Sequence, residues 1–62
     1  MKEYIFTFGF GQKYQGCYHV VEARDADVAR EVMISKFGTQ WSMQYDSRDA
    51  AGVEKFNLKE IK

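Results

Sequence analysis

Glu22-Ala-Arg-Asp-Ala-Asp-Val-Ala-Arg-Glu-Val-Met-Ile-Ser-Lys-Phe-Gly-Thr-Gln-Trp41 is the stretch around which the rest of the chain is organised. Its apolar residues Ala29, Val32, Met33 and Phe37 recur at helical spacing and form one stripe. Asp25 stands where an N-cap is needed, since its carboxylate can accept from the free amides of a first turn. Asp27 places negative charge where the helix dipole favours it. Lys36 falls in the last turn, and Gly38 follows as a left-handed C-cap. Start, stripe and stop agree on a single long helix.

Two strands are expected before it. In residues 3–8 the aromatic side chains of Tyr4, Phe6 and Phe8 alternate with Ile5 and Thr7. In residues 17–23 Cys17, His19, Val21 and Ala23 share one face, and Tyr18, Val20 and Glu22 the other. Between them runs Gly9-Phe-Gly-Gln-Lys-Tyr-Gln-Gly16, with three glycines in eight residues. Glycines at that density mark a loop with positions open to positive φ. After the helix, Trp41, Met43 and Tyr45 alternate with Ser42 and Gln44 as a third strand, with the three larger side chains packing onto the helix stripe. Asp46 or Ser47 caps one helical turn that Gly52 closes. Residues 53–61 form a fourth strand, Phe56 and Leu58 set against Asn57 and Lys59, with lysines that suit an edge.

The order β-β-α-β-β predicts an α+β domain over residues 1–62, a small antiparallel sheet with the helix packed on one face. The other face then lacks a second layer, and some aromatic surface stays exposed. A homodimer or another partner would cover it.

Sixty-two residues make one marginal core. One Cys and one His exclude an internal disulfide and argue against a dense metal site, so neither staple is at hand. Ten aromatic residues (five Phe, four Tyr, one Trp) are the compensation. Nine Lys+Arg balance nine Asp+Glu, which argues against a dedicated nucleic-acid binder. No apolar run is long enough to span a membrane. The opening residues lack the pattern of a signal peptide, and with a lone Cys this leads us to expect a reducing cytoplasm.

Tyr4-Ile5-Phe6-Thr7-Phe8-Gly9, Gly11-Gln12, Gly16 with Tyr18, Glu22-Ala23 with Asp25, Ala29-Arg30-Glu31 with Met33, Phe37-Gly38 with Trp41, and Gln44-Tyr45 resemble a group of short accessory proteins of phages and prophages of Gram-positive bacteria. The resemblance covers residues 4–45. It implies a bacterial host cell as the setting and carries over no catalytic residue. Some phage proteins of this size inhibit host defences, CRISPR nucleases among them, an analogy of size and origin.

The candidate sites follow from the loops and faces. The Gly9–Gly16 loop lacks the Gly-Lys-Ser/Thr ending of a phosphate loop and leads into a strand, so no cofactor is expected there. Phe10, Gln12, Lys13 and Tyr14 suit protein recognition better, with Tyr18 on the open sheet face beside them. The rings of Phe10 and Tyr14 either fold back on the sheet or wait for a partner. Cys17 and His19 lie two apart on one strand face, too few for zinc and too far apart for a catalytic pair without rotation. We therefore expect a non-enzymatic protein-binding module. The alternative is a single-stranded nucleic-acid binder that stacks bases on Tyr4, Phe6, Phe8 and Tyr18.

Overall fold

The structure is a computed structural model that describes residues 1–61. Strand β1 (Lys2–Thr7) pairs antiparallel with β2 (Cys17–Ala23), in a register that sets Lys2 opposite Ala23 and Thr7 opposite Tyr18. Helix α1 (Ala26–Phe37) follows after two residues. The Asp25 carboxylate accepts from the Val28 amide at 3.0 Å, which satisfies one of the donors a helix start leaves free. At the other end Gly38 has φ 62° and ψ −123°, and its N–H donates to the Ile34 carbonyl at 2.9 Å. The positive φ is as expected, although this ψ lies outside the left-handed helical region.

The stripe of α1 covers one face of the sheet. Ala29 and Met33 are fully buried against Tyr4, Phe6, Phe8, Val21 and Ala23, with Val28, Val32 and Phe37 packed around them. Alternation along β1 and β2 selects that face, because every second side chain points to the helix. The Phe6 ring meets the Trp41 ring edge to face at 5.0 Å.

Strand β3 is shorter than expected. It spans Met43–Tyr45 and pairs antiparallel with the far side of β1, Gln44 beside Phe6 and Tyr45 beside Ile5. This register turns Gln44 toward the helix, where it accepts from the Arg30 side chain at 2.9 Å. Met43 and Tyr45 therefore point away from the helix. Trp41 packs onto the stripe as expected, whereas Tyr45 packs on the opposite face and Met43 is 53% exposed.

The last part of the chain departs most from expectation. Ser47 caps a four-residue helix α2 (Arg48–Ala51), its hydroxyl accepting from the Ala50 amide at 3.0 Å. Gly52 closes it in the left-handed conformation, φ 76° and ψ 32°. The following residues form turns and not a long strand: the Val53 amide reaches back to Arg48, Phe56 to Gly52 and Leu58 to Val53. Only β4 (Lys59–Ile61) is extended, and it pairs parallel with β2, from Cys17 beside Lys59 to His19 beside Ile61. The sheet order is β3-β1-β2-β4, and the sheet is mixed where a wholly antiparallel one was expected. The α+β class with one main helix holds.

These turns also close the face expected to be open. Ala51 lies against Ile5 and Tyr18, and Val20, Tyr45, Val53 and Leu58 pack around them. Ile5 is 1% exposed and Tyr18 7%. Arg48 clamps this layer to β1 through Glu3 at 3.0 Å. Its guanidinium is held above its ordinary pKa by the Tyr18 hydroxyl first and the Glu3 carboxylate second. The homodimer was expected to cover an aromatic sheet face. That face is covered within the chain itself.

Candidate functional site

The Gly9–Gly16 loop is held from inside by one side chain. The Gln12 carboxamide oxygen accepts from the Gly9 amide at 2.6 Å, and its nitrogen donates to the Trp41 carbonyl at 3.2 Å. Successive turns stitch the backbone, with Gln12 N–H to Gly9, Gln15 N–H to Gln12 and Cys17 N–H to Tyr14. Gly11 has φ 79°, a conformation that side chains with a Cβ resist. Its amide donates to the Gln15 side chain at 3.1 Å. The loop is therefore a folded, hydrogen-bonded unit with a fixed shape.

The five expected contact residues separate. The Phe10 ring is 95% exposed at the tip. Lys13 is exposed, with its ammonium 5.4 Å from the centre of the Tyr14 ring. Tyr14 folds back: its ring packs edge to face on Phe8 at 5.5 Å and on Phe37 at 5.4 Å. Gln12 is half-buried and spends its polar atoms on the loop itself. Tyr18 is buried beneath α2 on the far side of the sheet, and it leaves the candidate surface for that reason. The base-stacking platform meets the same obstacle, since Tyr4, Phe6 and Phe8 lie under α1 and Tyr18 under α2.

Residues outside the loop complete the site. A cleft of about 230 Å³ opens between Lys13 and Tyr14 of the loop and Lys36, Phe37 and Gln40 at the end of α1. Lys36 reaches inward to His19, which is 4% exposed on β2. The His19 Nδ1 lies 2.7 Å from the Ile61 carbonyl oxygen, and Nε2 lies 3.3 Å from the Lys36 Nζ. A carbonyl only accepts, so Nδ1 carries the proton and Nε2 accepts from the ammonium. Both ring nitrogens are thereby engaged, and neither is turned to Cys17 as a base would be. Among the described residues no cluster of three or more His, Cys, Asp or Glu side chains is placed to hold a metal.

A second cleft of about 420 Å³ lies near the start of α1, between Lys2, Tyr4, Ala26, Gln44, Tyr45 and Asp46. It mixes a cation with a carboxylate and converges on no reactive group. No helix among the described residues is long and apolar enough to cross a membrane.

Sequence reasoning missed Lys36, Phe37 and Gln40 as neighbours of the loop. The signal that could have found them is a gap in the charges. No Asp or Glu occurs between Glu3 and Glu22 or between Glu31 and Asp46. The fold brings these two acid-free stretches together. Comparison with known proteins yields no match to a family model, to a curated protein or to a solved structure.

Proposed function

We propose that this chain is a non-enzymatic protein-binding module and that Phe10 is its anchor. The observation that carries this reading is an aromatic ring 95% exposed at the tip of a loop whose other parts are tied down. A large apolar ring held out in water gains most when a partner encloses it, and aromatic residues dominate the binding energy of protein interfaces. The hydrogen bonds of Gln12 lower the entropy lost when the loop is ordered by a partner. Occlusion of a partner's surface is the mechanism this geometry supports, since it needs a fixed shape and no reactive group. The resemblance of residues 4–45 to phage accessory proteins supports a bacterial host protein as the target, with defence nucleases among the candidates.

The test is capture of a partner from a Gram-positive lysate by the chain and by its Phe10→Ala variant. Truncation at Phe10 should cost about 2 kcal/mol or more of affinity for the captured protein. The thermal midpoint should stay unchanged, because the ring makes no packing contact to lose. A Phe10→Ala variant that holds the same protein as tightly as the parent refutes the anchor.

A further inference from the structure

We propose that the cleft between the loop and the end of α1 is a receptor for carboxylate side chains, so that the partner engages it with an acidic peptide segment beside the ring of Phe10. This rests on the protein-binding reading and names the chemistry of the partner. Two ammonium groups, Lys13 and Lys36, line the cleft together with the Gln40 amide, and among the described residues lining it there is no carboxylate. The charge is local and undiluted, because both chain segments that build this corner are free of Asp and Glu. A chain of zero net charge thus carries a corner of one sign.

Both ammonium groups are placed by other side chains. Buried His19 accepts from Lys36 at 3.3 Å, which uses one of the three ammonium hydrogens and leaves two. The Tyr14 ring holds the Lys13 ammonium at 5.4 Å from its centre. An incoming carboxylate therefore meets cations that have already lost part of their rotamer freedom, which is the costly part of an exposed ion pair.

The negative end of the α1 dipole opposes an anion here. That end is partly satisfied: Gly38 N–H donates to the Ile34 carbonyl and Gln40 N–H to the Phe37 carbonyl, and the Trp41 indole N–H donates to the Gly38 carbonyl at 3.1 Å. Two full charges outweigh a partial charge of about one half. A polynucleotide is the weaker fit. Single strands need open aromatic faces for stacking, whereas Tyr14 and Phe37 are engaged edge to face with each other and with Phe8.

The experiment is a titration of the ¹⁵N-labelled full chain with a capped peptide of alternating glutamate and phenylalanine, read by amide shifts. The same peptide with glutamine for glutamate and an oligothymidylate of equal charge are the comparisons. The glutamate peptide should shift Lys13, Tyr14, Phe37 and Gln40 and saturate, and the glutamine peptide should bind about tenfold more weakly or worse. Lys13→Gln, at an exposed position that leaves folding intact, should weaken the glutamate peptide by a similar factor. Equal binding of the glutamine peptide, shifts elsewhere on the surface, or no shift at all would overturn the proposal. Tighter binding of the oligothymidylate at the same amides would overturn it too and assign the cleft to phosphate. If the peptide fails while Phe10→Ala still abolishes capture of the protein partner, the acidic chemistry falls and the protein-binding reading stands.

Discussion

Phe6→Ala is expected to cost about 3–5 kcal/mol, a loss that lowers the urea midpoint steeply. Phe6 has no exposed surface and sits at the centre of the helix-side core, against Met33, Ala29 and the edge of Trp41. Removing a buried phenylalanine costs about 3–5 kcal/mol, from lost transfer energy and the cavity left behind. At about 0.05–0.15 kcal/mol per residue, 62 residues have a total stability of about 3–9 kcal/mol. The substitution therefore removes from about a third to all of what holds the domain together. Met43→Ala is the control: its side chain is 53% exposed, and its cost should stay within about 0.5 kcal/mol. Urea denaturation followed by circular dichroism would check both. A Phe6→Ala variant with the parent's midpoint would mean that α1 does not cover this face.

Ile5→Ala is expected to cost about 2–5 kcal/mol, and it tests the opposite face. Ile5 is adjacent to Phe6 in sequence but points away from the helix, and it is 1% exposed only because Ala51 and the turns after it lie over it. Were that face bare, the truncation would remove a side chain already in water and cost little. A loss below about 0.5 kcal/mol in the same denaturation experiment would therefore show that α2 and residues 52–58 do not pack on the sheet. The two variants read the two layers separately, since their side chains project to opposite faces of one strand.

How much of this was legible in the sequence depended on the range of the interactions. Helix α1 was readable because Asp25, the stripe from Ala29 to Phe37 and Gly38 all act within a few residues of one another. The face of β1 under the helix was readable from alternation alone. The parallel pairing of β4 was not. It depends on Gly52 and Asn57 taking positive φ (76° and 52°), which folds residues 53–58 into turns where their apolar content had suggested a strand. Those same turns cover Tyr18, so an error in local structure at one end of the chain became an error in the candidate surface at the other. Within the site, the glycines announced the loop, and Phe10 stands exposed at its tip. The structural duty of Gln12 could not be read, because the Trp41 carbonyl that it bonds lies 29 residues away. Lys36 joined the site through His19, a contact that only the packing of α1 on β2 creates.

The parallel pairing of β4 with β2 orders the folding of the chain in time. β1 and β2 close across residues 8–16, and α1 docks onto β2 from the next residues, so these steps cost less loop entropy than the joining of β4. β4 can join only after everything from Arg24 to Leu58 has been gathered in, because a parallel neighbour cannot be reached by a hairpin. The hairpin and α1 are therefore expected to form the nucleus, with β4 adding after the barrier. Substitutions at Ile61 should accordingly speed unfolding while leaving the refolding rate unaltered, and a slowed refolding limb in stopped-flow measurements would place β4 inside the nucleus instead. Native contacts that form after the barrier are the ones that set how long the folded molecule lasts. The lifetime of this domain is then expected to depend on β4, at the rim of its sheet, the strand that supplies the carbonyl bonded to His19.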